Sequence, residues 1–379
     1  KFDGVILKRA KDMRVSSNEI ARASRGVDAD FRKSVRVAKN RISAFAKRGI
    51  KRDWEMLSGK GGRLGEKFVP FDRVGVYVPA GSAPLASTAL MTVVLAKVAG
   101  VPEIVVCSPC GSDGKMDPYL LYAIDQAGAT EIYRVGGIQS IGMMAYGTKT
   151  CGKVQKIAGP GGPFVTAAKR QVYGDVALDL VAGPSEIAVL ADSSADPKFV
   201  AADLLSQAEH GTGMEKALMV TTSVALAKKV QNELMKQCSG LKRKKAVRRV
   251  MRSGMLMVVV SSLGEGVDLC NEFAPEHLEL MVSAPRKWLR KVKCAGAVFV
   301  GKWTPESAGD FVAGPSHVLP TGGAAKMFSG LTSDDFLRRM SFVEFTKKDL
   351  EETLPVIESF GRVEGLDAHA GSARVRFEK

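Results

Sequence analysis

The sequence predicts an α/β protein of two doubly wound, Rossmann-like domains in tandem, followed by a small C-terminal tail domain. Three observations carry this reading. Short Val/Ile-rich runs alternate with amphipathic stretches of about 10–15 residues, as parallel strands joined by crossover helices do. The alternation runs through twice, which reads as a duplication. Glycine-rich turns follow the strands, where open α/β sheets bind ligands.

Residues 1–60 read as helical and basic, the leading part of the first domain. From 61 to 185, "VGVYVP", "EIVVCS", "EIYRVG" and "VQKIAG" are predicted strands, with "STALMTVVLAKVAG" and "DPYLLYAIDQAG" as helices among them. From 186 to 330, "EIAVLAD", "ALMVTTS", "MLMVVVSS" and "GAVFVG" repeat the pattern around the helical "DPKFVAADLLSQAEH". Residues 331–379 form the tail; after about 345 it reads as a helix and then a short strand, "ARVRF". The turns "VPAGSAP", "AGPGGPF" and "AGPSE" suit close approach to a phosphate, or are plain tight turns. Neither GxGxxG nor the P-loop pattern is present.

A chain of 379 residues can bury two cores, and its 45% hydrophobic and 25% charged content is ordinary for a globular protein. Lys, Gly and Pro interrupt the most apolar run, "MTVVLAKVAGVPEIVV", so no membrane partner is expected. Six scattered cysteines suggest a reducing, cytoplasmic setting, and the lone "CSPC" reads as plain thiols at a strand end. The net charge of +15 is densest in "LKRKKAVRRVMR". Without interleaved aromatics this is a solvated helix face, and nucleic acid is not an expected partner. The chain starts at Lys1 rather than Met, so a further natural N-terminal segment is expected.

The four histidines, His210, His277, His317 and His369, all sit at element boundaries, as members of one site would. In "LLSQAEHGTG", Gln207 and His210 project from one face at the exposed end of a helix that stops at Gly211. "FAPEHLEL" sets Glu276 and His277 before an alternating strand. Their side chains should point apart, as a catalytic pair serving two steps or as a surface turn. Asp310 and His317 lie in the constrained "ESAGDFVAGPSHVLPTGG", where Asp310 is either a functional acid or the anchor of a turn. Glu364 and His369 fall in a turn of "RVEGLDAHAGSARVRF", as site residues or as a solvated tail. Gln207, His210, Asp310 and His369 together offer nitrogen and oxygen donors suited to zinc or another borderline divalent ion.

The segments "YVPAGSAPLASTALM", "AGPGGPFVTAAKRQVYGDVALDLVAGPSEI", "VAADLLSQAEHG", "APEHLEL", "GDFVAGPSHVLPTGG", "DFLRR" and "EGLDAHAGSARVR" resemble the signature segments of the histidinol dehydrogenases, in the family's order. The resemblance implies a four-electron oxidation of L-histidinol through L-histidinal to L-histidine, using NAD and one zinc per subunit. It implies Gln207, His210, Asp310 and His369 as metal ligands, His277 as general base and Glu276 as the residue that activates water. Ser185, His317 and Glu364 then match substrate contacts, joined by the metal ligands and the two bases, and Tyr77, Gln139 and Gly162 match cofactor contacts. It also implies a homodimer with shared active sites, in which the tail is exchanged.

Two positions depart from the pattern. Gly162 stands where the family has an asparagine that contacts the cofactor, and Ala80 stands where it has glycine. The alternatives are a paralogous zinc- and NAD-dependent dehydrogenase of another small alcohol, such as a hydroxylated sulfonate, and a non-catalytic binding protein that keeps the fold. Glu364 and His369 favour histidinol over the first, and intact Glu276, His277 and metal-ligand positions argue against the second.

Overall fold

The computed structural model describes residues 5, 9–80, 83–180, 183–210 and 213–378. The chain divides into two compact units, one of Lys1–Gly49 with Phe71–Phe336, the other of Ile50–Pro70 with Leu337–Lys379.

The first unit opens with helices α1 (Ser17–Gly26) and α2 (Ala29–Gly49), while β1 (Trp54–Leu57) and β2 (Arg63–Pro70) belong to the second unit. The first parallel sheet follows: β3 (Arg73–Tyr77), α3 (Ala86–Ala99), β4 (Glu103–Cys107), α4 (Pro118–Ala127), β5 (Glu131–Tyr133), α5 (Gly137–Tyr146), β6 (Lys156–Ala158), α6 (Pro163–Gln171) and β7 (Ala177–Leu178). Its strand order is β5-β4-β3-β6-β7. The second parallel sheet takes in β8 (Glu186–Ala191), α7 (Pro197–Ala208), β9 (Lys216–Thr221), α8 (Val224–Cys238), α9 (Lys244–Ser253), β10 (Met255–Val259), α10 (Leu263–Phe273), β11 (His277–Met281), α11 (Pro285–Leu289) and β12 (Ala297–Val300). Its order is β10-β9-β8-β11-β12. Both sheets thus run third, second, first, fourth, fifth strand, which is the shared topology a duplication requires.

Local chemistry starts the helices. Asp117 and Asp196 accept backbone N–H bonds as N-caps of α4 and α7, each followed by a proline at the first helical position. Helices on both faces explain why β8 and β11 are buried at every residue. Ile187, Val189 and Met281 pack on one side of the second sheet, Ala188, Leu278 and Leu280 on the other. Cys107 closes β4 fully buried, and burial pushes its thiol well above the usual range, as befits an inert core thiol. The basic stretch is α9, with Val247 and Val250 buried beneath a cationic face.

In the second unit β13 (Leu337–Glu344) pairs with β2, and β2 with β1, in an antiparallel sheet; α13 (Lys347–Glu364) and α14 (Asp367–Arg374) follow. This corrects two expectations. The 1–60 segment is not all helical, and "ARVRF" is the end of α14 and a turn rather than a strand. The helix wins because Ala370 sits against Gly361 of α13, so close that a Cβ on Gly361 would lie 2.8 Å from that of Ala370. The β1-β2-β13 sheet went unread because its largely exposed strands show no local apolar rhythm and β2 takes its second partner, β13, from distant chain.

Asp349 knots this unit. Its carboxylate accepts from the Thr346 N–H (2.9 Å) and hydroxyl in a capping box, from Ser58 Oγ, and from the N–H groups of Lys60 (2.9 Å) and Gly62 (3.0 Å). The Ser58 and Thr346 hydroxyls hold it well below the usual carboxylate range. A lowered folded value means stability that is present above the ordinary value of 3.8 and is lost as pH falls towards the folded one. Asp349→Asn should therefore melt lower than the parent at pH 7, and the gap should close as pH falls below 3.8. Thermal melts by circular dichroism across that range check this; a gap independent of pH would refute it.

Candidate active site

Three turns at the carboxyl ends of the first sheet come together where its strand order reverses, between β3 and β6. Gly159, just after β6, takes φ +109°, and a Cβ there would lie 2.1 Å from the Tyr77 carbonyl oxygen, so only glycine fits. The turn is pinned from below. Buried Asp179 accepts from the Gly159 N–H (2.7 Å) and pairs with buried Lys169, whose Nζ also donates to Gly159 O (3.0 Å). Tyr77, buried at the end of β3, accepts from the Gly137 N–H (3.3 Å) at the start of α5, two residues before exposed Gln139. Gly162 is the N-cap of α6, with no atom within 4 Å of where its Cβ would stand. The structure thus gathers the segments of Tyr77, Gln139 and Gly162 at one switch point.

The second group lies at the amino ends of β8 and β11. These ionisable side chains stand at the end opposite to the one where open α/β sheets usually bind ligands. Ala274, with φ +48°, ends α10, and Pro275 then feeds Glu276 and His277 into β11. His277 pairs with Ile187, so Glu276 comes opposite Glu186 and accepts its N–H at 3.0 Å. Glu276 and His277 do not point fully apart: Glu276 Oε2 is 3.8 Å from His277 Nδ1.

Helix α7 ends at Ala208, and Gly211 lies outside the described residues. Gln207 is wholly buried rather than at an exposed helix end, while His210 is exposed with Nδ1 3.1 Å from Ser185 Oγ. Arg243, from the basic stretch, donates to the Glu209 (3.0 Å) and His210 (3.4 Å) carbonyls that α7 leaves free. One end of the Gln207 amide meets Glu306 Oε1 at 2.9 Å, His277 Nδ1 at 3.1 Å and Glu186 O at 3.3 Å; the two oxygens are acceptors, so that end is the NH2 and its hydrogens go to them rather than to the ring nitrogen.

Glu306 went unnoticed in the sequence. It opens α12 (Glu306–Phe311), four residues before Asp310, and this spacing sets both carboxyls on one helical face. The signal was present in "PESAGDF", hidden because a glycine inside so short a helix reads as loop. Gly309 is there because the Phe299 ring lies 2.6 Å from where its Cβ would be. A ring nitrogen of His210 and an oxygen from each of Glu306 and Asp310 lie within 4.8 Å of one another.

The Glu186 carbonyl, 3.1 Å from His277 Nδ1, can only accept, so Nδ1 carries the hydrogen and Nε2 is left with a lone pair. Nε2 is buried without a hydrogen-bond partner, 3.7 Å from Asp310 Oδ1. His317 is engaged at both nitrogens, Nδ1 with the Asp310 carbonyl (3.0 Å) and Nε2 with Thr88 Oγ1 of α3 (3.0 Å). Glu364 and His369 lie exposed in the second unit, one ending α13, the other on α14.

Burial sets the electrostatics. It lowers His277 to about 3 and His317 to about 4, and raises Asp310 to about 6. Burial also pushes Glu276 and Glu306 well up, with Asp310 adding to both. Among the described residues, the only ion-pair partner of Glu276, Glu306 and Asp310 is His277. Buried carboxyls without Lys or Arg take up protons more readily, and a dication among them would instead hold them ionised. The donors, imidazole, carboxylate and amide, fit zinc.

The histidinol dehydrogenase family profile matches residues 1–377. A histidinol dehydrogenase of a Synechococcus strain is 43% identical over 99% of this chain and 86% of its own length. That of Moorella thermoacetica is 44% identical, over 100% and 89%. The crystal structure of histidinol dehydrogenase from Elizabethkingia anophelis superposes with a TM-score of 0.95 at 36% identity, covering all of this chain and 86% of that one. The chain belongs to the histidinol dehydrogenase family and is an enzyme of the dehydrogenase type.

Proposed function

We propose that the protein oxidises L-histidinol through L-histidinal to L-histidine, with NAD as hydride acceptor in both steps and zinc as resident metal. The observation that carries this reading is the buried, unpartnered Nε2 of His277 close to Asp310 of the His210–Glu306–Asp310 cluster, with Glu276 near the same ring's Nδ1. Gln207, His210 and Asp310 would hold the zinc together with His369, whose inclusion rests on the match of "EGLDAHAGSARVR" to the family. Bound zinc would supply a Lewis acid that fixes the substrate's imidazole and amine.

His277 is neutral at physiological pH, so Nε2 can take the hydroxyl proton in the first oxidation. Burial makes it a weak base, and the carboxyls of Glu276 (3.8 Å) and Glu306 (3.6 Å) near Nδ1 offset this by favouring the imidazolium that forms. Glu276, made more basic by burial, takes a proton from the water that adds to the aldehyde. Ser185 and Glu364 would contact the substrate. His317 would do so by exchanging its Thr88 contact, and otherwise steadies the end of α12 through the Asp310 carbonyl. Tyr77, Gln139 and Gly162 would line the cofactor's place at the switch point.

With zinc and NAD, the purified protein should form two NADH per L-histidinol; no NADH from histidinol in a folded, metal-loaded sample would overturn the reading. His277→Ala should lower kcat by about 10²–10⁴ while zinc content stays near that of the parent. Glu276→Gln should slow histidinal oxidation more than histidinol oxidation in single-turnover assays; equal loss in both would refute the division of labour.

Open space at Gly162 lets Gly162→Asn enter without a clash and adds an N-cap to α6. Its side-chain hydrogen bond should lower KM for NAD by up to about tenfold; an unchanged KM would mean that the cofactor is held otherwise.

We further infer a homodimer that shares its sites through the tail carrying His369. Refolding inactive Gln207→Ala and His369→Ala chains together should then return roughly a quarter of the parent's activity, from mixed two-fold dimers with one intact site. No recovery, while parent protein refolds well, would mean each site uses one chain only.

A further inference from the structure

We propose that Glu306 is a positioning residue of the metal site: its carboxylate fixes the Gln207 amide with the NH2 inward, so that the carbonyl oxygen is the end offered to the cation. The inference rests on the zinc reading above and extends it to a residue outside the proposed ligand set.

The two ends of a glutamine amide have nearly the same shape, yet only the oxygen can ligate a cation. An amide ligand therefore needs something behind it that accepts hydrogen bonds. Gln207 is wholly buried in the last turn of α7, so its protein neighbours set its orientation. Glu306 Oε1 stands 2.9 Å from the inward end of the amide, with Glu186 O as a second acceptor at 3.3 Å and His277 Nδ1, whose own hydrogen goes to Glu186 O, at 3.1 Å.

Glu306 is itself built in. It is 1% exposed, its Oε2 accepts from Ser206 Oγ (2.9 Å), and its N–H donates to Glu279 Oε1 (2.9 Å). Ser206 and Gln207 are consecutive, so one carboxylate grips the last turn of α7 by two neighbouring side chains. The same Oε1 is 3.6 Å from His277 Nδ1, which links the amide's setting to the base. Glu306 also lies close enough to His210 and Asp310 to be a ligand itself, and a test must separate the two roles. With each oxygen already engaged, by Ser206 and by Gln207, the geometry points to positioning.

Zinc affinity by chelator competition and the visible spectrum of the cobalt-loaded protein read the site without turnover. Glu306→Met, close in size but with no acceptor, should weaken zinc binding about 10–100-fold and change the cobalt spectrum. Glu306→Gln keeps a carbonyl that can face the Gln207 NH2, and should bind within a few-fold of the parent. Gln207→Glu should weaken binding in the parent background, where it sets two carboxylates against each other. In the Glu306→Met background it should restore binding, because a carboxylate has two equivalent oxygens and needs no orienting. This reversal of sign is the expected result.

Glu306→Met with undiminished zinc affinity, or no rescue by Gln207→Glu, would overturn the proposal. Gln207→Ala that keeps its zinc while Glu306→Gln loses it would make Glu306 a ligand and overturn it too. A parent protein that binds neither zinc nor cobalt would sink the metal reading and this inference together. Melting of the metal-free variants shows which are folded, and Glu306→Gln reads the site should Glu306→Met fail to fold.

Discussion

Strands β8 and β11 pair in parallel with His277 opposite Ile187, and this register governs the chemistry at the strands' amino ends. It brings the Glu186 N–H to Glu276 and the Glu186 carbonyl to His277 Nδ1. A slip of one residue would turn His277 and Glu279 to the opposite face and bring Leu278 in their place. The apolar packing on both faces of the second sheet resists that slip. The core thus acts on the site by fixing which side chains of β11 face α7 and α12.

What the register gathers is unfavourable in isolation. Asp203, Glu276, Glu279, Glu306 and Asp310 are all raised by burial. Such a group of acids in a low-dielectric setting either takes up protons or is answered by hydrogen bonds and a cation. Backbone N–H groups, Ser206 and the two nearby imidazoles answer part of it. The remainder is the physical case for a dication, and it does not depend on which residues were expected to bind one.

The two sheets meet the chemistry with opposite ends. The first offers glycine turns at its carboxyl edge, held by Gly159 against Tyr77 and by the Lys169–Asp179 pair. The second offers imidazole and carboxyl groups at its amino edge. His317 joins the two halves, reaching Thr88 of α3 with one nitrogen and the Asp310 carbonyl with the other. A duplicated topology therefore gathers two different sets of residues, glycine turns at one edge of the first sheet and ionisable side chains at the opposite edge of the second.

The sequence by itself determined the tandem α/β architecture, since strand and helix periods, capping aspartates and prolines act within a few residues of one another. It also determined which residue types stand ready for chemistry, because four histidines at element boundaries are visible without coordinates. Glu306 was half legible: its spacing from Asp310 is a local fact, but its burial is not. Only the tertiary structure decided that Gln207 faces inward, that Glu276 and His277 lie close rather than apart, and that the second sheet gathers its imidazole and carboxyl groups at its amino edge. It likewise decided that the tail ends in a helix and that β1, β2 and β13 form one sheet. Apart from the tail helix, which packs on its sequence neighbour α13, these depend on contacts between segments far apart in the chain, and in those contacts burial and hydrogen-bond partners outweigh local propensity.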